Sequence, residues 1–162
     1  MKNVLVVAAA LALGACAPTE RATPVTVAAP PPPAPKCVDA PTTLVMRDLE
    51  EGKGDPIETR TAVLVGYTGW IYDGCKPDLK GNMFDTSSAR ATPFGLVVGA
   101  GRVIKGWDEG LVGMREGGKR LLVIPPDKGY GASGAGGGAI PPNATLVFEV
   151  ELGKVLQRPQ PQ

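Results

Sequence analysis

No histidine occurs among the 162 residues of the chain. This absence removes the side chain that most often acts as a general base and as a transition-metal ligand. The chain also lacks a large excess of basic charge, because 17 basic and 16 acidic side chains give a net charge of +1. A chain this close to neutral has no field to hold nucleic acid. Three cysteines without histidine also fall short of the usual four-ligand zinc site. We therefore expect no metal, no cofactor and no nucleic-acid partner.

Long apolar runs are absent as well. The run Val4–Leu13 is about half the roughly 20 residues that a membrane-spanning helix needs. It follows the basic Lys2 and ends in a Leu-Gly-Ala-Cys sequence at Cys16, which resembles the lipobox of bacterial lipoproteins. The resemblance implies that residues 1–15 are a cleaved signal peptide and that the Cys16 thiol is acylated. The alternative is that Cys16 only falls near an ordinary signal-peptidase site.

The residue after the lipobox indicates a location in the cell envelope. It is Ala17, whereas an aspartate at this position commonly retains lipoproteins at the inner membrane. We therefore expect the outer membrane, with the protein facing the periplasm. Two or three acyl chains anchor a protein stably, so the lipid is expected to be its only contact with the membrane.

Residues 16–36 begin with the lipidated cysteine and continue as a proline-rich segment without aromatic residues. Such a composition cannot bury a core and favours polyproline II, which rises about 3 Å per residue. We interpret the segment as a semi-rigid tether. An SH3-type ligand is the alternative.

Two further cysteines, Cys37 and Cys75, belong to the part of the chain that follows the tether. Disulfides persist in exported proteins, and a bridge closing this loop would stabilise the fold by about 4 kcal/mol in the chain-entropy model. A disulfide is therefore the expectation, with two free thiols as the alternative.

From residue 37 to residue 156 short apolar runs are punctuated by glycine, which indicates one domain, and residues 157–162 are expected to be a disordered tail. One stretch, Val103–Val112, has helical spacing of its apolar residues Ile104, Trp107, Leu111 and Val112. The pattern predicts an α+β domain, with an antiparallel β-sheet wrapped around one short α-helix. The predicted strands are rich in β-branched and aromatic residues: Thr43–Leu49, Ala62–Ile71, Phe94–Val98, Lys119–Ile124 and Ala144–Val155.

Several short motifs occur in a fixed order along this domain. They are Val65-Gly66-Tyr67-Thr68-Gly69, Met83-Phe84-Asp85-Thr86-Ser87, Pro93-Phe94, the run Val103–Gly110, Tyr130-Gly131-Ala132 and the run Ile140–Leu152. Together they resemble the FKBP-type peptidyl-prolyl cis-trans isomerases over residues 43–155.

The resemblance implies roles for individual residues. The Ile104 backbone N–H and the Tyr130 hydroxyl would bond carbonyl groups of a bound prolyl segment, and the Asp85 carboxylate would lie near the twisting imide. Arg90 matches an arginine that pairs with the pocket aspartate and tyrosine. The proline ring would be enclosed by Tyr67, Phe84, Val103, Trp107 and Phe148. Phe94 would close one wall of the pocket, and Ile140 would come from the glycine-rich flap.

Other interpretations of these residues remain open. The aromatic rings could simply fill a core, Asp85 could cap a turn, and Arg90 could be an ordinary surface arginine. Arg102 stands where many members of the family have an acid, so contacts at the outer rim are expected to differ.

By this resemblance the expected activity is rotation about X-Pro bonds in exported, proline-containing polypeptides, with binding of FK506- or rapamycin-type macrolides. The proline-rich tether stands in place of the long helical dimerisation segment of some relatives, so a monomer is expected. The alternatives are a non-catalytic binding module for unfolded or partner proteins and a structural envelope lipoprotein.

Overall fold

We describe the fold from a computed structural model covering residues 37–90 and 92–157. Within these residues six strands form one sheet in the order β1-β5-β6-β2-β3, with β4 also paired to β2. All strand pairs are antiparallel. The elements are β1 (Val45–Glu50), β2 (Ala62–Tyr72), β3 (Lys80–Thr86), β4 (Phe94–Val97), α1 (Lys105–Gly110), β5 (Lys119–Ile124) and β6 (Leu146–Gln157). This confirms the predicted α+β class with one short helix.

From Ala62 to Trp70, strand β2 alternates between half-buried and buried residues, and its buried side chains face the core. One of its edges pairs with β6 along the whole strand, from Ala62 opposite Gln157 to Ile71 opposite Leu146. The other edge is divided, because β4 pairs with the first part of β2 and β3 with the last part. The strand therefore contacts three others, and the division of its edge falls beside the site described below.

The helix α1 packs closely on β5 through two glycines. A Cβ atom at Gly106 would lie 2.5 Å from the Ile124 side chain, and one at Gly110 would lie 2.8 Å from Leu122. Glycine is a poor helix former, and here it permits an approach that no larger residue allows. The prediction that Val112 shares the buried helical face is wrong, because the helix ends at Gly110 and Val112 is 37% exposed.

The end of α1 is held by a buried arginine from β5. Arg120 donates to the Gly110 carbonyl at 2.7 Å and to the Val112 carbonyl at 3.0 Å, so it satisfies one acceptor that the helix terminus leaves open and one just beyond the helix. It also pairs with Asp48 of β1 through two hydrogen bonds. The hydrogen bond from Arg120 holds the pKa of Asp48 below its usual range. The Arg120 side chain therefore joins the end of α1 to the edge strand β1.

The domain begins with a disulfide between Cys37 and Cys75, whose S–S distance is 2.00 Å. Beside it the Val38 N–H donates to the Gly74 carbonyl at 2.8 Å, and the Tyr72 hydroxyl donates to the Val38 carbonyl at 3.0 Å. The first residues of the domain are therefore fixed to the connection between β2 and β3.

Two differences from the predicted elements concern strands. No strand was predicted between residues 72 and 93, yet β3 (Lys80–Thr86) lies there, so only residues 73–79 link β2 to β3. Gln157, assigned to the tail, instead ends β6 by pairing with Ala62. Sequence patterns locate such boundaries poorly, because pairing with a neighbouring strand extends a strand beyond its apolar run.

The predicted signal peptide, the lipidated Cys16, the proline-rich tether and residues 158–162 lie outside the described residues. Within residues 37–90 and 92–157, no helix is long and apolar enough to cross a membrane.

Candidate active site

A cavity of about 210 Å³ opens between α1 and the concave side of the sheet. Six of its ten lining residues are aromatic, and all of the pocket residues predicted from the resemblance line it except Arg90 and Ile140. The lining residues are Tyr67, Phe84, Asp85, Phe94, Arg102, Val103, Ile104, Trp107, Tyr130 and Phe148. The structure thus brings together residues from β2, β3, β4, α1 and β6.

Trp107 lies at the centre of the aromatic cluster and is only 4% exposed. Its ring meets those of Tyr67, Phe94 and Phe148 edge to face, with centroid distances of 5.0, 6.2 and 5.3 Å. Edge-to-face pairs are the favoured arrangement of aromatic rings and add to their burial energy. The cluster therefore fixes the orientation of the indole that forms part of the cavity wall.

A β-bulge in β3 turns two consecutive residues into the cavity. Neighbouring residues of a regular strand point to opposite faces, yet Phe84 and Asp85 both line the cavity. The register explains this, because Asp85 pairs with Gly69 while Met83, two residues earlier, pairs with Trp70. Phe84 is the extra residue, and a bulge of this kind commonly re-aims a side chain beside a functional site.

Gly69 makes room for two of the cavity rings. A Cβ atom at this position would lie 2.7 Å from the ring of Phe84 and 2.7 Å from that of Phe148. Those two rings meet edge to face at 5.5 Å. A larger residue at position 69 would therefore displace the wall of the cavity.

The carboxylate of Asp85 is held by three donors. The Tyr67 hydroxyl donates to it at 2.6 Å, the Arg90 guanidinium at 3.0 Å and the Thr86 N–H at 2.9 Å. Arg90 also donates to the Tyr67 hydroxyl at 2.8 Å. The predicted association of Arg90 with the pocket aspartate and tyrosine is thus present, although Arg90 does not itself line the cavity.

The backbone of Tyr67 is fixed at the point where the edge of β2 is divided between β4 and β3. Ser87 takes the place of a neighbouring strand there, because its hydroxyl accepts from the Tyr67 N–H at 2.8 Å and lies 3.2 Å from the Tyr67 carbonyl. Sequence reasoning gave Ser87 no separate role. The sequence feature that could have pointed to Ser87 is its position two residues after the pocket aspartate, Asp85.

The chain between β4 and α1 supplies Arg102, Val103 and Ile104 to the cavity wall. Asp108 of α1 holds this connection, since its two carboxylate oxygens accept from the Gly99 and Gly101 N–H groups at 2.8 Å each. Sequence reasoning did not identify Asp108, because its partners are backbone groups that no motif reveals. Asp108 is therefore a positioning residue for this wall.

Hydrogen-bond donors of the cavity lining that lack a partner among the described residues include the Ile104 N–H, the Tyr130 hydroxyl and the buried Nε1–H of Trp107. No described residue accepts from the Ile104 N–H or from the Tyr130 hydroxyl. Tyr130 is 39% exposed, and partial burial together with the charge of Asp85 raises the pKa of its hydroxyl. Burial, followed by the hydrogen bond to Asp85, also raises the pKa of Tyr67. Both hydroxyls remain protonated donors at neutral pH.

Ile140 occupies a different place from the one that the resemblance implied. Its side chain is 5% exposed and packs in the core, and it is not among the residues that line the cavity. A backbone bridge between Ala135 and Ile140 closes the base of the glycine-rich loop. This bridge turns the isoleucine away from the loop and into the core.

The unpartnered donors of the cavity suit the carbonyl groups of a peptide. Within the described part of the chain, no three histidine, cysteine or acidic residues lie close enough to hold a metal ion. What the cavity offers is an apolar enclosure with free N–H and O–H donors.

The fold and the cavity define an α+β domain with an aromatic-lined cavity beside its helix. The sequence profile of the family described as "FKBP-type peptidyl-prolyl cis-trans isomerase" matches residues 54–153. The chain belongs to this family.

Individual relatives agree with the profile. The chain is 52% identical over 114 residues to "FK506-binding protein" of Neisseria meningitidis serogroup B, covering 70% of this chain and 97% of that protein. It resembles the structure of a peptidyl-prolyl cis-trans isomerase from Pseudomonas syringae pv. tomato, with 38% identity, a TM-score of 0.57 and coverage of 70% and 76%. It also resembles FkpA from Escherichia coli, with 41% identity, a TM-score of 0.61 and coverage of 76% of this chain and 54% of FkpA.

Proposed function

We propose that this protein accelerates cis-trans rotation about X-Pro bonds in exported polypeptides while anchored to the cell envelope by a lipid. The observation that carries the proposal is one cavity in which an aromatic enclosure meets two unpartnered donors, the Ile104 N–H and the Tyr130 hydroxyl. A prolyl segment offers the matching groups, an apolar ring with a carbonyl on either side.

The chemistry requires no nucleophile. Amide resonance sets a barrier of about 18–20 kcal/mol to rotation, and the planar amide carries more charge separation than the twisted one. An apolar cavity therefore favours the twisted form, and binding it more tightly than either planar isomer accelerates rotation. Lowering the barrier by about 6–8 kcal/mol would raise the rate by roughly 10⁴ to 10⁶.

In the proposed mechanism, Asp85 contributes to catalysis through its position in the cavity wall and because neighbouring donors neutralise much of its charge. Its carboxylate lies in the cavity wall and is held by Tyr67 and Arg90. Because these donors neutralise much of its charge, the carboxylate can lie near the imide carbonyl without drawing water into the cavity. In the proposed mechanism it orients the carbonyl as the bond twists.

The test is a protease-free assay of prolyl isomerisation with the full chain and a proline tetrapeptide. We expect acceleration that FK506 or rapamycin abolishes, because either macrolide would occupy the same cavity. Tyr130→Phe should lower kcat/KM, whereas the matched variant Tyr72→Phe should not, since Tyr72 lies outside the cavity lining. No acceleration of any X-Pro substrate, with macrolide binding retained, would leave a non-catalytic binding module as the function.

The location is proposed from the amino-terminal residues. The lipobox at Cys16 supports lipidation, and Ala17 supports the outer membrane facing the periplasm, with the proline-rich tether allowing a monomeric domain to reach clients. Globomycin should cause the precursor to accumulate. Normal maturation in the drug would refute lipoprotein processing.

A further inference from the structure

The cavity contains an arginine with no partner. Arg102 lines the cavity and is exposed, and it makes no hydrogen bond or ion pair with any described residue. Of the other charged or hydroxyl-bearing side chains that line the cavity, Tyr67 and Asp85 are hydrogen-bonded, and only the Tyr130 hydroxyl lacks a partner among the described residues. Arg102 is therefore a fixed positive charge beside the proposed proline subsite whose counterion is not supplied by the domain itself.

The acidic groups near Arg102 are occupied elsewhere. Asp108, on the helix that follows, uses both carboxylate oxygens on backbone N–H groups. Glu109 pairs with Lys128 on the surface, and Asp85 is held by Tyr67 and Arg90. Since Arg90 already pairs with Asp85, Arg102 is the one cationic side chain of the cavity lining, and it has no ion-pair partner among the described residues.

Hydrogen bonds hold the backbone on both sides of Arg102. Asp108 fixes Gly99 and Gly101 on the residue's amino-terminal side. On the other side Ile104 caps α1, and its carbonyl accepts from the Trp107 N–H at 2.9 Å. The backbone of Arg102 is thus held between two anchored points next to the cavity.

We propose that Arg102 selects substrates that carry an acidic side chain next to the proline. This inference rests on the proposed isomerase function and names the substrate class of the same cavity. A glutamate or aspartate flanking the proline would reach the guanidinium while the proline ring is enclosed by the aromatic residues. A lysine or arginine in that place would be repelled.

The charge effect should be moderate, because Arg102 is exposed to solvent. Exposed ion pairs contribute little in water, so we expect kcat/KM to be about two- to five-fold higher for a glutamate peptide than for its glutamine isostere. Salt screens exposed charges, with a Debye length of about 3 Å at 1 M. The preference should therefore disappear at 1 M NaCl.

The experiment compares tetrapeptides that differ only in charge. With the full chain at low ionic strength, kcat/KM is measured for Ala-Glu-Pro-Phe, Ala-Gln-Pro-Phe and Ala-Lys-Pro-Phe, and for a second set with the variable residue after proline. Arg102→Gln should remove the preference and Arg102→Glu should reverse it. The matched variant Arg47→Glu makes the same change in net charge on β1, outside the cavity lining, and should leave the preference intact.

The outcomes separate this inference from the isomerase proposal. A preference for glutamate at either position that Arg102→Glu reverses supports the role of Arg102. Equal turnover of glutamate and glutamine peptides in both sets, or a preference that Arg102→Glu leaves unchanged, overturns it while isomerase activity stands. No acceleration of even the glutamine peptides would overturn the isomerase proposal instead.

Discussion

The Tyr67 hydroxyl donates a hydrogen bond of 2.6 Å to Asp85, and both groups are held by the same arginine, Arg90. Tyr67 belongs to β2 and Asp85 follows the bulge in β3, so the contact joins two strands at the cavity. The triad orients the carboxylate and leaves the Tyr67 ring in contact with Trp107.

Removing the Tyr67 hydroxyl should lower activity with little change in shape. Tyr67→Phe retains the ring contacts and deletes two charge-assisted hydrogen bonds, the one donated to Asp85 and the one accepted from Arg90. Each such bond is worth about 1.5–3 kcal/mol in typical cases. We expect kcat/KM to fall about ten-fold, and to fall at least as far in Asp85→Ala. Isomerisation assays on both variants measure this, and unchanged turnover in Asp85→Ala would contradict the role given to the carboxylate.

Trp107 should matter for stability as well as binding. Trp107→Ala removes a buried ring from a cluster of edge-to-face contacts, and such truncations cost about 3–5 kcal/mol. Chemical denaturation should show this loss in the free energy of unfolding. Trp107→Phe keeps an aromatic wall, so it should fold more stably than the alanine variant and retain part of the macrolide affinity. Equal stability of the two variants would refute the packing role.

The activity should be nearly independent of pH between about 6 and 9. Burial raises the pKa of Tyr67 and of Tyr130 above the ordinary value of about 10. A raised pKa means that each hydroxyl stays protonated below pH 10. Activity should therefore fall through loss of these protons only above pH 10. The chain has no histidine to titrate in this range. A bell-shaped profile of kcat/KM near neutrality would contradict this assignment.

Asp108 should act on the cavity through the connection between β4 and α1. Asp108→Ala leaves the Gly99 and Gly101 N–H groups without their protein acceptor. Both bonds are exposed, so water can replace the carboxylate and the free energy of unfolding should change by no more than about 1 kcal/mol. We expect KM to rise several-fold with a smaller change in kcat, because the wall is loosened while Asp85 and Tyr130 remain. Glu109→Ala is the matched control on the same helix. A similar rise in KM for both variants would rule out the positioning role.

The disulfide should stabilise the domain without affecting catalysis. Replacing both Cys37 and Cys75 by serine should lower the free energy of unfolding by about 2–4 kcal/mol, since the bridge constrains the unfolded chain. Neither cysteine lines the cavity, so kcat/KM should remain within two-fold of the parent protein. Reduced parent protein should unfold at the same denaturant concentration as the double variant, and a large loss of activity in either would show coupling to the cavity.

The sequence predicted much of this site because its motifs are local. Tyr67, Phe84 and Trp107 each lie in a short segment whose order along the chain identifies the family. The α+β class followed from runs of β-branched residues interrupted by one helical pattern. These features depend on neighbouring residues, which a single sequence displays directly.

The unpredicted parts depend on contacts between distant backbone groups. The bulge at Phe84 arises from register with β2, and the role of Asp108 arises from two glycine N–H groups. The family resemblance placed Ile140 at the cavity as part of the glycine-rich flap, but it bridges to Ala135 and its side chain is buried in the core. No spacing of side chains in the sequence specifies such geometry.

The pairing of β2 with β6 has a consequence for how this domain folds. Ala62 meets Gln157 and Ile71 meets Leu146, so the central contact of the sheet joins residues that are far apart in the chain. Chains dominated by such distant pairings close costly loops before they gain contacts, and they fold slowly. Because Tyr67 and Phe148 come from these two strands, the cavity exists only once they have met. Recovery of activity during refolding therefore reports the completed topology, and a chain that has formed only its local hairpins is inert.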